Sequence, residues 1–133
     1  MTADQLKAQL QGACNDLWWS SESDYPIEVV WETSDLETID RSLIRRLFNL
    51  ADDIEIQVVN IESFFERATS PRGWHTEADK DQRLRLQKLK NLLIHSLCQL
   101  QVYRCGEVEI TVYALGQAPD GSIAGVKTLL IET

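Results

Sequence analysis

The residues best suited to bind a cation or a basic group lie at the end of the chain. Glu132 and Thr133 follow directly on an apolar, β-branched run, so a carboxylate side chain, a hydroxyl and the terminal carboxylate lie within one residue of each other. Hard oxygens grouped in this way suit a divalent cation or a cluster of basic side chains. The alternative is an ordinary frayed chain end without a binding role.

A second pair of carboxylates lies in a polar stretch near the N-terminus. Glu22 and Asp24 lie among serines in residues 20–24. Two carboxylates at this spacing could act as a general acid and a general base. A serine-rich stretch with acidic residues is also typical of the solvated end of a helix, and composition favours this second interpretation.

Trp74 lies in residues 68–76, the longest turn-rich stretch of the chain, with Gly73 before it and His75 after it. An exposed Trp is costly unless a partner buries it. Trp74 therefore either packs back onto the core or acts as an anchor at an interface. The sequence leaves both interpretations open.

The usual signatures of catalysis are absent from the sequence. None of the glycines has the spacing of a phosphate-binding loop, and no serine or cysteine has a recognisable nucleophile context with a nearby base. His75 and His95 lack a cysteine or carboxylate partner at the spacing of a zinc site. Cys14, Cys98 and Cys105 are an odd number without short spacings, which predicts reduced, mostly structural thiols. These residues therefore do not indicate an enzyme.

Composition and charge limit the possible partners. The chain has 133 residues, of which 21 are acidic and 13 basic, giving a net charge of −8 and a pI of about 4.7. This length suits a single domain over residues 1–133. The charge repels nucleic acid and anionic membranes and would steer the protein toward a basic partner. Because the N-terminal residues lack a signal-peptide pattern and no apolar run approaches membrane-spanning length, we predict a cytoplasmic protein.

The segment before the first carboxylate pair is predicted to be a helix. Thr2 can cap it, with Gln5 as its partner in a capping box. An apolar stripe at helical spacing follows, formed by Leu6, Leu10, Ala13, Cys14, Leu17 and Trp18. After the polar stretch, Pro26 disfavours helix at Tyr25 and directs the chain into a strand over residues 27–31.

The middle of the chain alternates between predicted helices and strands. A cap signal at residues 33–35 precedes apolar residues at helical spacing over 36–48, with the arginines mostly on the solvent side. Residues 54–58 alternate between apolar and polar as a half-buried strand. A short helix is predicted over residues 62–68, and a long helix with a stripe of leucines begins at Glu77.

The C-terminal part of the chain is predicted to be a β-hairpin. Val108 to Leu115 and Ile123 to Ile131 are apolar, β-branched runs, and Pro119 and Gly121 supply a turn between them. Both strands carry apolar residues on both faces, and such a sheet needs helices on both sides. Because hairpin strands are antiparallel, we predict an α+β fold, a three-layer α/β/α sandwich around a largely antiparallel sheet.

Three separated stretches share their residues with a known family. The first is residues 21–26, the second runs from Phe64 through residues 67–69 to Pro71 and Trp74, and the third is residues 101–133. The third is the most specific and contains Val102-Tyr103-Arg104, Gly106-Glu107-Val108-Glu109, Pro119, Gly121, Ala124-Gly125 and Glu132-Thr133. Together with the order of the helices, these stretches resemble the nuclease A inhibitor (NuiA) family, inhibitors of sugar-non-specific nucleases.

The resemblance implies an α/β/α sandwich without catalysis that plugs the active site of a magnesium- or manganese-dependent DNA/RNA endonuclease. It implies that Glu22 and Thr133 reach the catalytic centre of the nuclease, where Thr133 contacts the metal ion. Trp74 matches the Trp of the family's interface loop. The predicted partner-binding residues are Glu22, Asp24, Gly73, Trp74, Glu132 and Thr133. The Mg or Mn ion belongs to the nuclease, so no cofactor is expected in this chain.

The chain departs from the family pattern just before Trp74. The family has an acidic residue there, whereas this chain has Gly73, preceded by Arg72. One charge contact is thereby lost and a cation is gained, which leaves the identity of the target nuclease open. The alternative function is an acidic protein-protein interaction module of the same fold that binds another basic partner.

Overall fold

The structure, a computed structural model, describes residues 2–20, 24–33, 39–69 and 77–131, and only the backbone of residues 20, 24, 67–69 and 77–79. Its elements in chain order are α1 (Ala3–Cys14), β1 (Trp18–Ser20), β2 (Asp24–Pro26), β3 (Glu28–Glu32), α2 (Arg41–Leu47), β4 (Ile56–Val59), α3 (Ile61–Thr69), α4 (Glu77–Ser96), β5 (Cys98–Cys105), β6 (Glu109–Gln117) and β7 (Ile123–Ile131). Helices and strands interleave, and the fold is α+β.

The first helix begins as predicted but ends earlier. The Thr2 side chain accepts from the backbone N–H of Gln5, and the Gln5 side chain accepts from that of Thr2, so the capping box is confirmed. The helix ends at Cys14 because the following residue, Asn15, has an extended backbone with ψ 123°, and Asp16 then takes the left-handed conformation with φ 54°. The prediction that Leu17 and Trp18 belong to the helical stripe is therefore wrong. Trp18 is 42% exposed in β1.

Strands β3, β7, β6, β5 and β4 form a sheet in that order, and each of these described pairs is antiparallel. The central β6–β7 hairpin confirms the prediction, with Glu109 opposite Ile131 and Gln117 opposite Ile123. Strand β6 begins at Glu109 rather than at Val108, which is 52% exposed. A separate two-stranded sheet, β1–β2, was not predicted.

The two faces of the sheet carry different core clusters. Along β6, Val112 and Ala114 belong to one cluster, and the alternating residues Tyr113 and Leu115 belong to the other. The first cluster contains buried residues of α1, α3 and α4, including Phe65. The second contains Leu43 and Ile44 of α2. Each of the two clusters therefore contains buried residues from helices as well as from the sheet.

Three details near α2 and β4 differ from the prediction. The cap of α2 is Asp40, whose carboxylate accepts from Leu43 N at 2.9 Å, while most of the predicted cap at residues 33–35 lies outside the described residues. Arg45 is predicted on the solvent side, but its side chain contacts the protein: the guanidinium donates to the Ile54 carbonyl at 3.0 Å. Val58 is 41% exposed because β4 is an edge strand.

Gly125 allows β6 and β7 to pair closely at the centre of the sheet. Its φ is +155°, a conformation that L side chains rarely adopt. A Cβ at this position would overlap the carbonyl oxygen of Ala114, which belongs to the backbone of the neighbouring strand. The position therefore requires glycine for both conformation and space.

Gly125→Ala should lower the free energy of unfolding by at least about 1–3 kcal/mol, the cost of a side chain in a backbone region reserved for glycine. Gly12→Ala is the matched control, because a Cβ on this exposed position of α1 meets nothing within 4 Å. Alanine there should stabilise the protein by up to about 1 kcal/mol through its helix propensity. Urea denaturation measures both changes. Equal stability of the two variants would contradict the assignment.

Candidate functional site

One end of the five-stranded sheet is the reference for the candidate site. We call it the Ile131 end, because β7 ends there at Ile131 opposite Glu109, where β6 begins. Cys105 at the end of β5 pairs with Thr111 of β6 and with Ile56, the first residue of β4. The end of β5 and the start of β4 therefore lie at the same end.

The β1–β2 hairpin extends along β7 toward the Ile131 end. Main-chain pairing of β3 with β7 begins at Glu28 opposite Lys127. Next to this pair, the Thr128 hydroxyl donates to the carbonyl of Pro26 at 3.0 Å and lies 3.4 Å from that of Tyr25. Since β2 continues the line of β3, its first residue points toward the Ile131 end. That residue is Asp24, which directly follows residues 21–23 in the sequence.

An aromatic cluster fixes this hairpin to α3. Trp19 is 8% exposed and stacks on Phe64, with ring centroids 4.5 Å apart. It also meets the edge of Phe65 at 5.4 Å. Aromatic pairs of this kind add about 0.5–1.5 kcal/mol beyond their buried area. The hairpin is therefore anchored through one side chain of β1, while neighbouring Trp18 lies outside this cluster.

Arg85 ties the middle of α4 to the end of α1. Its guanidinium donates to the backbone carbonyls of Ala13, Asn15 and Asp16, the last at 3.1 Å. Gln82 also donates to the Asp16 carbonyl, at 3.1 Å. The C-terminal carbonyls of a helix lack intrahelical donors, so a charged donor is favourable there. These contacts fix α4 beside the residues that lead into β1.

The start of α4 points toward the Ile131 end. Leu97, directly after α4, lies against Gly116, at the opposite end of β6 from Glu109. Arg85, near the middle of α4, contacts the carbonyl of Asp16, two residues before β1. Strand β1 pairs with β2 beside Thr128. Followed back from Leu97 through Arg85, the helix therefore runs toward the Ile131 end. Its first turn, directly after residues 70–76, lies furthest in that direction.

The described surface at the Ile131 end is acidic. Glu55, Glu107 and Glu109 are all exposed there. The Gly106 N–H donates to the Glu55 carbonyl at 3.0 Å, which holds the start of β4 against the β5–β6 turn. Carboxylates grouped at one end of a sheet create a local negative potential, which attracts a basic surface.

Most of the predicted site residues lie outside the described residues. This applies to Glu22, Gly73, Trp74, Glu132 and Thr133. Only the backbone of Asp24 is described, as the first residue of β2. Their contacts therefore remain predictions. The described elements that flank all of these positions point toward the Ile131 end.

Two of the three cysteines are poorly suited to nucleophilic chemistry. Burial raises the pKa of the Cys14 thiol to about 11, against an opposing effect of Arg85. Burial likewise raises the pKa of Cys105 to about 11, against Arg45. A thiol with a raised pKa is mostly protonated near neutral pH, so it is a weak nucleophile. The burial of Cys14 and Cys105 is therefore consistent with the prediction that they are structural thiols.

Within the described ranges, no three histidine, cysteine, aspartate or glutamate side chains are grouped so that they could bind a metal ion. The described helices include none with the length and apolar character needed to cross a membrane.

Comparison with known proteins identifies the family. The family model described as nuclease A inhibitor-like protein, NuiA, matches residues 4–133. The chain belongs to this family. The match includes all the elements from α1 to β7 except the first residue of α1, and all the predicted partner-binding residues. A comparison with curated protein sequences gave no significant match.

Arg85→Met should lower the free energy of unfolding by about 1–2 kcal/mol, because the carbonyls at the end of α1 lose a charged hydrogen-bond donor. Arg83→Met is the matched control on the same helix. Arg83 makes no hydrogen bond with a described side chain or carbonyl, and its loss should change stability by no more than about 0.5 kcal/mol. Thermal and urea unfolding measure both variants. Similar changes in the two would show that the Arg85 contacts contribute nothing specific.

Proposed function

We propose that this family member is a proteinaceous inhibitor that binds and plugs the active site of a metal-dependent, sugar-non-specific DNA/RNA endonuclease. The family match over residues 4–133 carries the proposal. We also propose that residues 1–133 form a single non-enzymatic domain, folded as a three-layer α/β/α sandwich and located in the cytoplasm. Core clusters with helical residues on both faces of the sheet support the sandwich.

The proposed interface contains Glu22, Asp24, Gly73, Trp74, Glu132 and Thr133. The directions of the described elements beside them support a shared interface: β2 follows residues 21–23, α4 follows residues 70–76 and β7 precedes residue 132. Each of these elements has the relevant terminus toward the Ile131 end. One partner surface could therefore contact all three segments at once.

The proposed interaction is electrostatic competition with nucleic acid. A nuclease cleft is basic and holds a cation for the scissile phosphate, so protein carboxylates can occupy the same field. The carboxylates of Glu22 and Glu132 and the hydroxyl of Thr133 supply hard oxygens suited to that cation and to basic side chains. In this proposal the Mg or Mn ion belongs to the nuclease, and this chain contributes no metal of its own.

Charge would mainly change the association rate of the complex, and aromatic contacts its dissociation rate. The net charge of −8, together with the exposed Glu55, Glu107 and Glu109, would accelerate association with a basic cleft, in a salt-dependent way. A buried aromatic anchor such as Trp74 would mainly slow dissociation. High salt should therefore slow association more than it speeds dissociation.

Deletion of Thr133, or addition of a few residues after it, should raise the inhibition constant at least about thirtyfold, the loss expected for a hot-spot residue worth about 2 kcal/mol. Thr133 is then removed or displaced from the catalytic centre. The assay measures DNA cleavage by the sugar-non-specific nuclease of the source organism. The same residues added before Met1 are the control. Unchanged inhibition by both C-terminal variants, with unchanged melting temperatures, would reject the proposed plug.

Glu22→Gln should raise the inhibition constant by about tenfold or more, because it removes one charge at nearly constant volume from a desolvated contact. Glu32→Gln is the matched control, because Glu32 is exposed and pairs with Ile123, away from the Ile131 end. Both variants change the net charge equally. If they weaken inhibition to the same extent, the effect is one of overall charge, and Glu22 has no place in the site.

The alternative is an acidic interaction module that binds another basic protein. The replacement of the family's acidic residue before Trp74 by Gly73, after Arg72, favours it. Affinity capture from the source cell, with the variant lacking Thr133 as a control, separates the two functions. A nuclease captured only by the intact chain supports the inhibitor. A basic protein without nuclease activity that is captured in the same Thr133-dependent way supports the alternative.

A further inference from the structure

We propose that Thr128 is a positioning residue for inhibition. Its hydroxyl fixes the β1–β2 hairpin relative to β7. This inference rests on the proposed function, because it concerns how two segments of the proposed interface are held in one arrangement.

Thr128 is the first residue of β7 beyond the end of the β3–β7 ladder. The β3–β7 ladder starts at Glu28 opposite Lys127. One residue before Glu28, the Ile27 N–H donates to the Leu17 carbonyl at 2.9 Å, so it bonds within the N-terminal segment rather than to β7. The chain therefore leaves the main sheet and enters the hairpin at this point.

Pro26 limits main-chain pairing at this junction. Proline has no backbone N–H, so it cannot donate to a neighbouring strand. Its carbonyl accepts instead from the Thr128 hydroxyl at 3.0 Å, and the Tyr25 carbonyl lies 3.4 Å from the same oxygen. Among the described residues, these are the hydrogen bonds that join β2 to β7.

The two elements that this hydrogen bond joins, β7 and the β1–β2 hairpin, differ in the extent of their own strand pairing. Thr128 pairs with Val112 inside the nine-residue β6–β7 ladder at the centre of the sheet. The β1–β2 hairpin has only three residues in each strand. A two-stranded hairpin is marginally stable on its own, so its position depends on contacts with the rest of the protein.

The aromatic cluster and this hydrogen bond hold the hairpin at different points. Trp19 of β1 packs on Phe64 and Phe65, which holds the hairpin against α3. The Thr128 hydroxyl instead contacts the backbone of β2 from β7. A hydrogen bond requires a short distance and a defined angle. The Thr128 hydroxyl therefore sets the position of β2 along β7.

This position matters for binding because Thr128 belongs to the strand that leads to the proposed terminal contact. The first residue of β2 leads to Glu22, and the last residue of β7 leads to Glu132 and Thr133. Holding two contact segments in the bound arrangement before association reduces the ordering cost of binding. Loss of the hydroxyl should therefore weaken inhibition while the sheet remains intact.

Three variants test the proposal against the sugar-non-specific nuclease of the source organism, assayed with Mg²⁺ on double-stranded DNA. Thr128→Val keeps the shape but removes the donor, and should raise the inhibition constant by about fivefold or more, a usual size for coupling between sites. Thr128→Ser keeps the donor and should inhibit to within about twofold of the parent, the additive range for a silent change. Thr111→Val is the control, because Thr111 lies in β6 and makes no side-chain hydrogen bond with a described residue.

A second readout measures the hairpin directly. In Thr128→Val, amide hydrogen exchange in β1 and β2 should accelerate, while exchange in the β6–β7 ladder should match that of the parent. Accelerated exchange in every strand would show a general loss of stability and would overturn a positioning role. Unchanged exchange in the hairpin would do the same, because the hydroxyl would then not hold it.

A double-mutant cycle with Glu22→Gln tests the route of the effect. If Thr128 acts by positioning residues 21–23, its loss should matter less once Glu22 has lost its charge, so the two changes should be less than multiplicative. Fully multiplicative effects, or unchanged inhibition by Thr128→Val, would overturn the positioning role alone. A parent protein that does not inhibit the nuclease would instead reject the proposed function, and this inference with it.

Discussion

The pairing of β6 with β7 is the constraint on which the rest of the structure depends. The ladder runs from Glu109 opposite Ile131 to Gln117 opposite Ile123, and β6 and β7 are the central strands between β5 and β3. Its residues contribute to the core clusters on both faces. A shift of one residue would exchange the two faces of the strand. The close approach at Gly125 helps to prevent such a shift.

The elements at the Ile131 end are attached to this ladder by contacts of different kinds. The β1–β2 hairpin depends on an aromatic stack through Trp19 and on the Thr128 hydroxyl. Helix α4 is held by charged hydrogen bonds from Arg85, near its middle, to the carbonyls at the end of α1. The side chains that make both sets of contacts are different from the proposed interface residues. Side chains that hold the scaffold are therefore separate from side chains proposed to bind a partner.

The elements predicted correctly from sequence are those with strong local signals. The capping box at Thr2, the long leucine-striped helix and the β6–β7 hairpin each have a complete pattern within a short stretch. Local patterns suffice there because the deciding contacts lie within one element. The family resemblance, which is confirmed, required residues from three separated stretches.

The errors occur where contacts distant in sequence decide the outcome. The sequence pattern assigns Trp18 to a helical stripe, but it lies in a strand with Trp19. Trp19 is buried there because Phe64 stacks on it and Phe65, also far along the chain, meets it edge-on. The role of Thr128 also could not be predicted, because its acceptors are more than one hundred residues away. A signal for the hairpin did exist, since the polar residues 20–24 separate Trp18 and Trp19 from Tyr25.

This separation of scaffold from contact residues has a consequence for partner choice. Arg72 and Gly73, which depart from the family pattern, belong to a stretch that is turn-rich in sequence and precedes α4. Substitutions in connecting segments usually change stability little, whereas a change of charge at an interface alters which partner is tolerated. A cation beside an aromatic anchor would repel a strongly basic edge and favour a partner with an acidic group there. The family fold could therefore serve a different nuclease through a few residues before α4, while Gly125, Thr128 and Arg85 keep the same structural roles.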